Sequence, residues 1–305
     1  MSDSRTYSTP AAFRTALTAR LKNEAKQSQW TLPQLQRQFA YDRLLERLYL
    51  VDRQWIVKGA TALLARDIGV RGTRDIDVYR EKAREIAEAE VREAAARDIG
   101  DWFRFELGPS QASADGARGV RIPVRAYVGA TTWTEFYIDL VGADFRMTGQ
   151  PEEVPPLVRI EMPDVEQHGY VAYPLVDHVA DKVVATFDVY GTQERASTRY
   201  KDLVDLVAIA TRSLMPAEQL VTAIQSEATR REVKLPSSFD VPDRDLWTSG
   251  YSAEAENSLL TVAKSLEESL GIVRPFIDPI LSGKADGVWD PALGKWVSPP
   301  ATNHL

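Results

Sequence analysis

At 305 residues and 44% hydrophobic content, the chain is long enough to bury one large core or two ordinary ones without disulfide or metal staples. It has no cysteine and three histidines, which excludes disulfides, thiol nucleophiles and thiolate metal sites and leaves little for zinc. The formal charge of -7 argues against a surface coated in nucleic acid, but residues 1–53 hold nine Lys or Arg against five Asp or Glu, so a local basic groove stays open.

The first residues carry no apolar signal core, and no run approaches the roughly 20 apolar residues that span a bilayer, so a cytoplasmic protein with no membrane partner is expected. Residues 10–27 place Phe13, Leu17 and Leu21 at four-residue steps with Arg14, Arg20, Lys22 and Lys26 off the stripe, an amphipathic helix. Its basic edge is either a rim for an RNA acceptor or a solvated face. A second helix is predicted from Thr31, an N-cap with Pro33 in the first turn, through Leu35, Phe39, Leu44, Leu45 and Leu48. It should pack beneath a sheet.

Residues 58–80 organise the rest. An apolar strand (Trp55, Ile56, Val57) meets Gly59, a short helical run follows at 62–65, and Gly69 and Gly72 lead into a strand carrying Asp75, Asp77 and Tyr79. Strand side chains alternate, so Asp75 and Asp77 point the same way while Ile76 and Val78 point into the core. Two carboxylates in so small a volume repel unless a divalent cation lies between them, and magnesium suits two carboxylates completed by substrate phosphates and water. Gly59 would let backbone amides and the Thr61 hydroxyl approach those phosphates. The constellation reads as metal-assisted nucleotidyl transfer. The other reading makes Asp75 and Asp77 the outer face of an amphipathic edge strand.

Residues 81–96 read as an exposed helix with Ile86, Ala89 and Ala94 as a thin apolar face. Strands are predicted at 103–107, 121–128 and 135–141, with 108–119 as a loop. Asp139 is a lone acid in an apolar strand and needs a partner, either a shared metal or an Arg or Lys. Four prolines within 149–163 mark a boundary or a long connection. From Pro174 a helix turns Val176, Val179, Ala180, Val183, Val184 and Phe187 inward, sets Lys182 off that face and ends at Gly191. Residues 199–210 form another, with Leu203, Leu206, Val207 and Ala210 buried and Asp202 and Asp205 neighbours on a different face. Helical patterns follow at 216–231 and 254–270, separated by a loop containing Asp243, Arg244, Asp245 and Trp247. A Pro and Gly turn between Trp289 and Trp296 suggests a hairpin.

The stretches Lys-Gly-Ala-Thr-Ala-Leu-Leu from 58 and Arg-Gly-Thr-Arg-Asp-Ile-Asp from 71, then Asp-Lys-Val-Val-Ala from 181 and Arg-Tyr-Lys-Asp-Leu-Val-Asp-Leu from 199, resemble the AbiEii/AbiGii nucleotidyltransferase toxins, the MenT-type mycobacterial toxins among them. The resemblance covers roughly residues 30–212. It implies an α+β fold, a polymerase-β-like nucleotidyltransferase core with flanking helices over residues 1–160 and a helical C-terminal domain over 161–305 that completes the active site. It implies transfer of NMP from an NTP to an RNA acceptor, the tRNA 3′ end, with Mg²⁺ as cofactor, a block of translation, and a cognate antitoxin as partner. By it, Asp75 and Asp77 are the metal carboxylates, Lys182 the triphosphate contact and Asp202 the second-helix acid; Gly59, Ala60 and Thr61 would bind nucleotide with Lys182, and Asp139 stays a possible third acid. Relatives carry Gly or Ser where this chain has Ala60. Thr73, two residues before Asp75, sits where a phosphate would compete for the metal, or else it caps the turn after Gly72. A small-molecule nucleotidyltransferase of the aminoglycoside-modifying kind and a non-catalytic binding module are the alternatives.

Overall fold

The computed structural model describes residues 6–113, 116–142, 147–190 and 195–298. The chain divides into two compact units, the first formed by residues 1–66, 72–146 and 151–172 and the second by 67–71, 147–150 and 173–305.

The first unit opens with α1 (Pro10–Gln27) and α2 (Leu32–Val51). It continues through β1 (Ile56–Lys58), α3 (Gly59–Ala65), β2 (Asp75–Tyr79) and α4 (Arg84–Ala95). The strands β3 (Phe103–Leu107), β4 (Gln111–Ser113), β5 (Gly116–Val128), β6 (Thr131–Val141), β7 (Glu152–Val154) and β8 (Tyr170–Ala172) follow. They form one mixed sheet in the order β3-β5-β6-β2-β1-β8-β7, with β4 on β5. The pairs β2–β6 and β1–β8 are parallel; the others are antiparallel.

The period-2 pattern of β6 explains which way the sheet faces. Phe136, Ile138 and Leu140 are buried, while Glu135, Tyr137 and Asp139 alternate with them on the open side. The buried side is covered by helices, with Tyr41 of α2 edge-on to Phe136 and Phe13 of α1 edge-on to Phe103. Helix α2 starts at a capping box formed by Thr31 and Gln34 and is fastened by Arg43 and Arg47, whose guanidinium groups lie 2.6 and 2.7 Å from the buried Asp101 carboxylate.

The second unit carries α5 (Leu175–Phe187), the short pair β9 (Val189–Tyr190) and β10 (Arg195–Ala196), and α6 (Tyr200–Arg212). Then come β11 (Met215–Pro216), α7 (Ala217–Arg231), α8 (Arg244–Glu256), α9 (Leu266–Leu281), β12 (Val288–Asp290) and β13 (Lys295–Val297). The expected hairpin is β12–β13; Trp289 is buried and donates its indole N–H to the Ala210 carbonyl at 2.7 Å. A mixed sheet with flanking helices and a helical C-terminal unit make the α+β architecture expected from the sequence.

Several local readings are corrected. The expected 108–119 loop holds β4 and the start of β5. On α4 the buried residues are Ala87, Val91, Ala94 and Ala95, at i, i+4, i+7 and i+8, and Ile86 is 53% exposed; small alanines let this helix lie close, so its large residue does not mark the face. Helix α5 ends at Phe187, and Gly191 lies outside the described residues. The pattern at 254–270 is the end of α8, a connection and the start of α9, and Asp243 to Trp247 is no loop. Asp243 accepts from the Leu246 amide as the N-cap of α8, and a Ser265–Glu268 capping box starts α9. Polar cap residues were read as loop composition.

Candidate active site

In the first unit the register of four adjacent strands lines up a row of charges. Asp77 on β2 is the partner of Lys58 on β1 and of Asp139 on β6, and Asp139 is in turn the partner of Arg121 on β5. Register partners share a face and lie about 5 Å apart, so Lys58, Asp77, Asp139 and Arg121 form one transverse line with cations at its ends. Asp75, one alternation away on the same face, is the partner of Tyr137. Three carboxylates on neighbouring positions repel one another by about 3 kcal/mol per pair at an intermediate dielectric, so something positive must sit among them.

Arg121 supplies part of that charge. Its Nε donates to Asp139 Oδ1 at 2.7 Å and one terminal amine donates to Asp139 Oδ2, while that amine also lies 3.3 Å from Asp75 Oδ2. The guanidinium stacks on the Tyr137 ring, 5.1 Å from its centroid. The Asp139 hydrogen bond, ahead of opposing desolvation, holds Arg121 above its usual pKa. Of the partners open to Asp139 from the sequence, the structure has an arginine.

Asp75 is positioned from its other side. The Thr73 hydroxyl donates to Asp75 Oδ1, and the Thr73 carbonyl accepts from Tyr41 Oη at 3.0 Å and Arg37 at 3.4 Å, which ties the loop to α2. Burial raises the Tyr41 pKa, and the nearby Asp75 and Asp77 carboxylates add to the shift. The phenol therefore stays a donor. Thr61, expected to offer its hydroxyl to a phosphate, is fully buried and donates to the Asp75 carbonyl at 3.3 Å. Ala60 is also buried.

Gly59 touches the carboxylate directly. Its φ is +58°, and a Cβ placed there would lie 1.8 Å from Asp77 Oδ2. Only glycine fits the backbone and leaves Asp77 in place. Gly59→Ala should cost about 1–3 kcal/mol of stability and displace Asp77, lowering activity further than the stability loss alone would. Thermal melts beside initial rates check this; unchanged rates would separate Gly59 from the site.

Asp75 and Asp77 fit a magnesium ion by the chemistry of their donors. Both are hard oxygen ligands on one face, and Gly59 sets no Cβ against Asp77. Among the described residues no group of three or more Asp, Glu or His is disposed to hold a metal. The remaining ligands would be phosphates and water.

The second unit holds the other expected residues in a buried ion cluster. Lys182 of α5 donates to Asp202 Oδ1 at 2.8 Å and to Asp205 Oδ2 at 2.7 Å, both on α6. Arg71 binds Asp205 through two parallel hydrogen bonds of 2.9 and 2.8 Å, and Arg199 binds Asp202. Lys182, Asp202 and Asp205 are 5%, 5% and 1% exposed. Ion pairing lets these carboxylates of α6 be buried. Burial by itself would lower Lys182 and raise the two acids, but the opposite charges outweigh it: Lys182 is held above its usual pKa and Asp202 and Asp205 below theirs. Two of the three ammonium donors are committed to carboxylates.

The structure thus joins Asp75, Asp77, Asp139, Gly59 and Thr73 in one unit and Lys182 and Asp202 in the other. Sequence reasoning missed Arg121, Tyr41, Arg71 and the pairing role of Asp205. The need of Asp139 for a partner was the one signal pointing to Arg121.

Residues 43–270 match the model of the AbiEii family, the nucleotidyl transferase toxin of type IV toxin–antitoxin systems. No curated protein matches the chain. Among solved structures, JHP933 from Helicobacter pylori is similar at 16% identity, over 81% of this chain and 94% of that one, with a TM-score of 0.48. MenT4, a nucleotidyltransferase toxin from Mycobacterium tuberculosis, is similar at 17% identity, over 72% of this chain and 74% of that one, with a TM-score of 0.49.

Proposed function

The chain belongs to the AbiEii family of nucleotidyltransferase toxins, and from that premise we propose that it transfers a nucleoside monophosphate from an NTP to the 3′ end of tRNA, blocking translation. The family implies an NTP substrate and a cognate antitoxin. One observation carries the reading: Asp75 and Asp77 share a face beside Gly59, within the matched span. Substrates of this kind place the protein in the cytoplasm.

In the proposed reaction a bond forms between the acceptor hydroxyl oxygen and the α-phosphorus, the bond from that phosphorus to the β-phosphate bridge breaks, and pyrophosphate leaves as the hydroxyl loses its proton. Asp75 and Asp77 would hold Mg²⁺, which when bound draws charge from the phosphates. Gly59 brings the backbone close beside Asp77, the buried Ala60 follows it, and Thr61 fixes the loop through the Asp75 carbonyl. Asp139 is oriented by Arg121. We assign nucleotide binding in the second unit to the cluster of Lys182, Arg71, Arg199, Asp202 and Asp205. Lys182 then acts by holding Asp202 and Asp205 in place.

Incubating the protein with each α-labelled NTP, Mg²⁺ and total tRNA tests this. Label should enter RNA and fall steeply as salt rises, since phosphate contacts release counterions. Salt-insensitive labelling of an aminoglycoside with none in RNA would favour the small-molecule alternative, and no NTP binding at all would favour a non-catalytic module.

Thr73 is proposed as an off-switch. Its half-buried hydroxyl donates to Asp75, so a phosphate there would set about -1.5 to -2 charges against a metal carboxylate. Thr73→Glu should lose most transfer and Thr73→Val should keep most of it. Equal rates in both variants would end the switch idea.

A further inference from the structure

The site face of the first unit already holds a cation on its acids. Arg121 grips Asp139 with two donors, reaches Asp75 Oδ2 at 3.3 Å and lies on the Tyr137 ring, so it bridges two of the three carboxylates on adjacent strands. Its side chain is 36% exposed and that of Asp139 only 13%, which puts the guanidinium on the solvent side of the carboxylate it covers.

We propose that Arg121 is a resident counter-ion of Asp75 and Asp139, and that it makes the site take its divalent ion with the nucleotide instead of as a free ion. The proposal rests on the nucleotidyltransferase reading of Asp75 and Asp77. A free divalent ion approaching Asp75 meets a guanidinium already hydrogen-bonded to that carboxylate and is repelled by it. A metal–nucleotide complex arrives differently, with phosphate oxygens that a planar guanidinium binds in the same forked geometry as a carboxylate. Arg121 therefore opposes one form of the metal and favours the other. The bond to Asp139 and the Tyr137 ring keep it near Asp75 in the meantime. Without it a free divalent cation would meet less positive charge at Asp75 and Asp139.

Arg121 is a positioning residue in this account, and binding is the readout. Mn²⁺ replaces Mg²⁺, and its affinity is measured by electron paramagnetic resonance, alone and with a non-hydrolysable NTP analogue. Arg121→Gln should bind free Mn²⁺ about tenfold tighter than the parent protein and the Mn²⁺–analogue complex several-fold more weakly. A structural salt bridge alone would not move the two affinities in opposite directions. Unchanged free-ion affinity, or both affinities shifting the same way, overturns the proposal. Should Arg121→Gln fail to fold, Arg121→Lys carries the test: it keeps a charge without the fork, so the complex should weaken while the free ion stays near the parent value. An unweakened complex would then overturn it.

Turnover is not needed, so the two readings fail separately. Normal Mn²⁺–analogue binding without the opposed shifts removes the role of Arg121 and leaves the carboxylate pair standing. If neither Mn²⁺ nor its complex binds, the carboxylate assignment falls and the proposal falls with it. Opposed shifts in a protein that labels no RNA keep the role of Arg121 and remove the acceptor.

Discussion

Asp75→Asn and Asp77→Asn should each lower nucleotidyl transfer by about a thousandfold or more while leaving the protein as stable as the parent. A metal ligand that stabilises developing phosphate charge contributes several kcal/mol to the barrier, and about 4 kcal/mol corresponds to that factor. The fold should survive because both side chains are part-exposed and face away from the core formed by Ile76 and Val78. Removing one negative charge also relieves repulsion among Asp75, Asp77 and Asp139. Single-turnover rates beside urea melts separate the effects. Transfer within about tenfold of the parent in either variant would remove that carboxylate from the metal site.

Lys182→Met should produce the largest stability loss, about 3–5 kcal/mol, because it leaves Asp202 and Asp205 buried with less positive charge around them. The pH dependence has a definite sign. Folding lowers the pKa values of Asp202 and Asp205, so their contribution is complete above the ordinary carboxylate range and is lost as pH falls through the folded values. Folding raises that of Lys182, so its contribution is complete below the ordinary lysine value and is lost as pH rises through the folded one. The gap between parent and Lys182→Met should thus be flat through neutral pH and shrink below about pH 4. Denaturant melts across that range measure it. A stability loss under about 1 kcal/mol would show that the cluster tolerates losing its ammonium, and Lys182 would then be better assigned to substrate.

The parts legible in the sequence were those with a local rule. Alternation on 75–79 placed both acids on one side of the sheet, and the four-residue steps of Phe13, Leu17 and Leu21 gave the buried stripe of α1. Gly59 was legible as a close approach, although only the structure shows that it meets Asp77. What escaped depends on register. Arg121 comes opposite Asp139 because β5 and β6 pair as they do, and nothing within 121–128 announces that partner. Arg71 and Asp205 are 134 residues apart in the chain, and a charged residue on a helix looks solvated until its counter-charge is known. The role of Thr61 escaped because its hydroxyl is satisfied by the main chain it helps to fold.

The central claim, that this carboxylate pair supports nucleotidyl transfer, is tested most directly by following two labels in parallel. One reaction carries an NTP labelled at the α-phosphorus and the other an NTP labelled at the γ-phosphorus, each with Mg²⁺ and total tRNA. α-Label should appear in RNA and an equal amount of γ-label in pyrophosphate, both lost with EDTA and in Asp77→Asn. γ-Label in the acceptor, which would mean phosphoryl transfer, or transfer that persists in Asp77→Asn, would contradict it.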